Sequence, residues 1–194
     1  MNVLKKNQIK LAIEMMEKYL QAPVGKNNGS IIEEEKKFDK KRIEVIENEL
    51  KPLVNKFLQK KIAFGDFKSS IDGINKRNEL WGFKGIKGMM FWNMLYNASD
   101  KNNCEEMVRK AVVEPKNEKT ALIQMNDFIK YVKNVGDNLV KSGGSKYKVP
   151  KVSSIPFFLS YFWQIQNNKR WPVYYTSCVN LMNDRNLWQP SGDL

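Results

Sequence analysis

The sequence predicts an all-α protein, a compact multi-helix bundle preceded by an amino-terminal helical arm. Three observations carry this prediction. Apolar residues recur at spacings of three and four, which places them on single helix faces. Strand–helix alternation, heptad runs and internal repeats are absent. Proline, glycine, serine and asparagine cluster between the periodic stretches, where the chain has to turn. The expected division is an arm over residues 1–62 and an aromatic-rich helical core over residues 63–194.

A first helix is expected over 5–20, with Ile9, Ile13, Met16 and Leu20 on one face. Pro23, Gly25, Asn27, Asn28 and Gly29 break the pattern. Ser30 or a neighbour then caps a second helix, with Glu33, Glu34 and Glu35 near its positive end. That helix runs to about Lys61 on a stripe of Ile43, Ile46, Leu50, Leu53, Phe57 and Leu58. Pro52 interrupts it and predicts a kink or break, because proline lacks a donor and crowds the preceding turn. Residues 64–79 form a shorter helix on Phe67, Ile71 and Ile74.

The glycine-punctuated turn Trp81–Gly88 leads into Met89–Tyr96, which is apolar nearly all round and is therefore expected to be the central buried helix. Helices follow over 102–113 and 118–140, separated by Pro115. Lys141–Lys151 is a Gly/Ser/Lys loop with four lysines and no acid. Ser153-Ser154-Ile155-Pro156 starts a helix rich in aromatics, with serine near the cap and proline in the first turn. Asn167–Arg170 ends it, Trp171–Tyr175 is extended, and Thr176 or Ser177 caps a last helix through Met182. All five tryptophans lie between 81 and 188, which puts the packed core in the carboxy-terminal part. The ending at Trp188–Leu194 reads as a domain boundary inside a longer protein.

Charge is the strongest global signal. Lys and Arg number 33 against 21 Asp and Glu, for a net charge of +12, and this surplus points to a polyanionic partner. Histidine is absent, which excludes histidine triads, histidine-ligated metals and histidine acid–base catalysis. Cys104 and Cys178 form no CxxC and argue against zinc, and for a reducing, cytoplasmic setting. No apolar run approaches the roughly 18 residues of a membrane span, and Met1–Lys6 lacks the apolar stretch of a signal peptide. Neither Gly82/Gly85/Gly88 nor Gly143-Gly144 fits a P-loop, so nucleotide hydrolysis by this segment is excluded. Glu33–Glu35 and Glu105-Glu106 lie on polar helix faces and match no nuclease metal motif. The expectation is a non-enzymatic chain with no catalytic residue, metal or cofactor.

Three segments suit a phosphate backbone. Phe83–Gly88 resembles the turn of helix-hairpin-helix modules, in which backbone amides at a helix start hold a phosphate. Gly85 and Gly88 would supply the close approach, and Lys84 and Lys87 the charge. The same glycines also suit a tight helix–helix turn. Lys146, Lys148 and Lys151 form a second basic segment, read equally as phosphate contacts or a solvated linker. In the third, Lys169 and Arg170 precede Tyr174 and Tyr175, which either stack on a base or anchor the core.

Leu80-Trp81-Gly82-Phe83-Lys84-Gly85-Ile86-Lys87-Gly88-Met89-Met90-Phe91-Trp92-Asn93, Ile155–Gln164 and Arg170-Trp171-Pro172-Val173-Tyr174-Tyr175 resemble the region ahead of the motor in some McrB-like AAA+ proteins of restriction and defence systems. The resemblance covers roughly residues 40–194. It implies a target-recognition region that binds DNA, with a downstream AAA+ motor and a nuclease subunit as partners. Many recognition regions of that family contain β-structure and flip bases. This helical chain takes from the resemblance target binding but no modified-base pocket. The competing expectation is a helical interaction module whose first two helices dock a partner subunit or form a homo-oligomer.

Overall fold

The computed structural model describes residues 5–23, 30–78 and 80–185, with the side chain of Trp81 excepted. Residues 24–29 of the expected breaker, the start at Met1–Leu4 and the ending at Trp188–Leu194 lie outside the described residues. The fold is all-α, and no strand occurs among the described residues. The chain divides into two units, Met1–Glu44 with Tyr175–Leu194, and Val45–Tyr174.

In the first unit, α1 spans Lys6–Leu20, α2 spans Ile31–Val45 and α9 spans Thr176–Asp184. Ser30 starts α2 as expected: its amide donates to the Glu33 carboxylate at 3.0 Å. Hydrogen bonds from Ser30 hold that carboxyl below its ordinary range. The face expected on α1 forms but stays open, with Ile9, Ile13 and Met16 all more than two-fifths exposed. Neither α1 nor α9 buries a residue.

The second unit holds the core. It begins at Val45 rather than at residue 63, because Leu50, Val54 and Phe57 are fully buried. Pro52 does not break its helix. A π-turn over Ile46–Leu50 precedes α3 (Lys51–Leu58), whose Lys51 amide donates to Ile46. The widened turn leaves room for the proline ring and absorbs the missing donor. There follow α4 (Phe64–Asn78), a π-turn over Ile86–Met90, α5 (Phe91–Ala98), α6 (Lys101–Val112), α7 (Glu118–Lys141) and α8 (Ile155–Gln166). Side-chain oxygens of Asp100 and Asn117 cap α6 and α7 through the amides of Asn103 and Thr120.

The central helix is α8, not the Met89–Tyr96 stretch. Every residue from Ile155 to Trp163 is buried. Its rings meet Phe67, Phe83, Phe91, Trp92 and Phe128 in edge and stacked contacts. Two buried polar side chains of α8 are paired across the core. Asn75 donates to the Tyr161 hydroxyl at 2.7 Å, and Trp163 Nε1 donates to the Ala111 carbonyl at 3.0 Å. Burial pushes the Tyr161 phenol above its ordinary range. By contrast α5 buries Phe91, Trp92 and Leu95 but leaves Asn93 and Asn97 exposed, as is Met90 just before it.

Candidate nucleic-acid interface

The glycine turn before α5 is built by its own hydrogen bonds. The amides of Gly85, Gly88, Met89 and Met90 donate to carbonyls of Gly82, Gly85, Phe83 and Gly85. These four amides are therefore occupied inside the turn rather than aimed at an anion. Gly88 is buried because the chain passes so close that a Cβ would stand 2.0 Å from the Phe83 carbonyl oxygen. Lys84 is exposed and Lys87 half-buried at the rim of this turn.

The loop after α7 is equally well defined. Gly143, at φ +83°, reverses the chain, and the Gly143 and Gly144 amides close the helix end on Val140 and Leu139. Ser145 then starts a tight turn over Lys146–Lys148: its hydroxyl accepts from the Tyr147 amide and its carbonyl from the Lys148 amide. Val149 rests against Gly136 of α7, and Pro150 is buried. The loop is thus pinned at both ends, with Lys146 and Lys148 exposed between the anchors and Lys151 exposed just beyond them. Tyr147 projects from the tip at 93% exposure.

These two basic segments are neighbours. The Ile86–Met90 turn packs against Val152–Ser154, the turn that follows Lys151. A groove of about 610 Å³ joins them, walled by Met90, Asn93, Met94 and Asn97 on one side and Leu139, Ser145 and Lys148 on the other. The third basic segment lies elsewhere. Lys169 and Arg170 follow the far end of α8, whose 12 residues separate them from the Lys151 end by about 18 Å. Tyr174 and Tyr175 are half-buried. The Tyr174 amide is tied to Ser160 at 2.8 Å, and burial pushes the Tyr175 phenol up to about 12. Trp171 packs edge-on against Trp163, with the Arg170 guanidinium over its ring.

Electrostatics separates this loop from the helix faces. Lys10, Lys51, Lys76 and Lys110 each sit within 4 Å of a carboxylate one turn away. Lys146, Lys148, Lys151 and Lys169 have no carboxylate partner among the described residues. A sequence signal for this was available: no Asp or Glu occurs from residue 138 to residue 183, a stretch holding five lysines and one arginine. Tyr147 was the residue that sequence reasoning missed, since Lys-Tyr-Lys in a glycine–serine loop looks like linker.

Elsewhere the chemistry is sparse. Cys104 is fully buried and burial pushes its thiol up, which suppresses the thiolate form. Among the described residues no three potential metal ligands converge, and no helix is long and apolar enough to cross a membrane. Comparison with known proteins returns no match, whether to a family model, a curated protein or a solved structure.

Proposed function

We propose that the chain is a DNA-binding domain that works mainly through phosphate contacts, in the manner of the target-recognition region of a cytoplasmic, defence-type AAA+ protein. Lys146, Lys148 and Lys151 form the centre of the contact surface, with Lys84 and Lys87 beside them. The observation that carries this reading is an exposed cationic loop with no neutralising carboxylate among the described residues, placed next to a second basic turn. Phosphates supply the missing counter-charge and release condensed cations on binding. The motor and nuclease partners follow from the resemblance alone.

Lysine acetylation on a DNA duplex, read by mass spectrometry, tests this. Bound DNA should protect Lys146, Lys148 and Lys151 and leave the ion-paired Lys76 and Lys110 as reactive as in the free protein. Uniform protection, or no binding at low salt with micromolar protein, counts against the proposal.

A second reading rests on the open face of α1. Ile9, Ile13 and Met16 form an exposed stripe, with Lys5 at the start of the helix, Lys6 and Lys10 in its first half, and Glu14, Glu17 and a single lysine, Lys18, in its second. An antiparallel second copy would set the lysine-rich half against the glutamates while covering the stripe. Sedimentation should then show a dimer that Ile13→Asp converts to a monomer. A wild-type chain that sediments as a monomer at tens of micromolar removes this reading.

A further inference from the structure

We propose that the groove between α5 and the Lys146–Lys148 turn receives an unpaired nucleotide of single-stranded DNA, with its base stacked on Tyr147. The proposal rests on the DNA-contact reading above and adds the kind of strand recognised. It starts from an anomaly. A tyrosine 93% exposed, at the tip of a turn held by its own hydrogen bonds, contributes no packing to the fold. Its ring face, unused by the fold and set between two lysines, is open to a planar partner.

Lys146 and Lys148 flank Tyr147 directly, and all three belong to the segment without carboxylates. A base stacked on the tyrosine therefore has a cation on either side for the adjoining phosphates. This combination of an aromatic platform and a cationic track is how single strands are held without sequence readout. A paired base cannot offer its face, because its neighbours in the duplex already cover it.

The groove beside this turn, lined by Ser145 and Lys148 on either side of Tyr147 in the chain, supports the same occupant. Met90, Asn93, Met94 and Asn97 recur at helical spacing along one side of α5, so that apolar walls alternate with exposed carboxamides. A carboxamide carries both a donor and an acceptor, which matches a base edge, and the methionine thioethers suit a flat ring. At about 610 Å³ the groove is comparable to sites that enclose small organic ligands, roughly 300–1,000 Å³. Lys148 lines the groove and also sits in the basic turn, so the base site and the phosphate site are continuous.

The test uses the full chain and fluorescence anisotropy with three probes of equal phosphate number: a mixed-sequence single strand, the same strand made entirely of abasic sites, and a duplex. The wild type should bind the base-bearing strand at least about fivefold more tightly than the abasic one, the scale of one stacking contact. Tyr147→Ala should reduce the base-bearing strand to the abasic level and leave abasic binding unchanged. Tyr147→Phe should restore the preference, because stacking needs the ring and not the hydroxyl. The double variant Asn93→Ala/Asn97→Ala should also weaken the base-bearing strand alone. These positions are exposed, so loss of fold does not confuse the result. Equal affinity of the wild type for the base-bearing and abasic strands overturns this proposal while the phosphate reading stands, as does a Tyr147→Ala variant that keeps the preference. Failure to bind any of the three probes overturns both.

Discussion

Replacing Lys146, Lys148 and Lys151 together by alanine is expected to weaken DNA binding by roughly 100-fold at ~0.2 M salt. The magnitude follows from counterion release. Each phosphate contact contributes about 0.9 to the slope of log affinity against log salt, so three contribute about 2.7. Two lines that differ by that slope and meet at ~1 M salt stand about 1.9 log units apart at ~0.2 M. All three side chains are exposed, and none takes part in an ion pair among the described residues, so the variant should keep the wild-type melting temperature. Anisotropy with a duplex probe and a thermal melt read the two quantities. A comparable triple replacement of Lys51, Lys76 and Lys110, each already paired with a carboxylate, should change affinity much less.

Phe83→Ala is expected to destabilise the protein by about 3–5 kcal/mol and to lower its melting temperature by about 10 °C or more. Phe83 is fully buried. Its ring lies 3.8 Å from the Tyr161 ring centre and is stacked against Phe157 and Phe158. Trp92 and Phe162 present edge contacts. Its carbonyl also accepts from the Met89 amide at 2.7 Å, which fixes the turn that starts α5. Truncation therefore opens a cavity where the glycine turn, α5 and α8 meet, and this cluster is too interlocked to collapse around it. Circular dichroism melts measure the shift. A change of under about 3 °C would mean that the cluster is not the core of this unit.

The sequence revealed most of the helices because their signals are local. The helix expected over 118–140 after the Pro115 break matches α7, and Ile155-Pro156 marks the start of α8. Ser154 stands at the cap of α8 as expected, at the end of a 3₁₀ turn over Val152–Ser154, but its side chain makes no capping hydrogen bond. What remained hidden depends on distant partners. Met89–Tyr96 and Ile155–Gln164 look equally apolar, yet α8 is enclosed while α5 keeps one open face. No spacing rule distinguishes them, since the difference lies in which helices arrive around each. The stripe on α1 was legible as a face, but a pattern does not say whether anything covers it.

The candidate site was legible in part. The basic turn before α5 and the basic loop after α7 both stand out by composition, and their proximity follows only once Val152–Ser154 packs on Ile86–Met90. The aromatic partner was expected at Tyr174 and Tyr175, which are half-buried. Tyr147 is exposed because Ser145 folds the loop into a turn, and a one-residue aromatic in a lysine-rich loop carries no periodicity to reveal that.

The salt dependence of duplex binding, measured side by side for the wild type and the Lys146/Lys148/Lys151 alanine variant, addresses the role of this loop most directly. Phosphate contact by the loop predicts a steep wild-type slope that becomes shallower by about 2.7 in the variant. Parallel lines for the two proteins, or affinity that ignores salt, would contradict it.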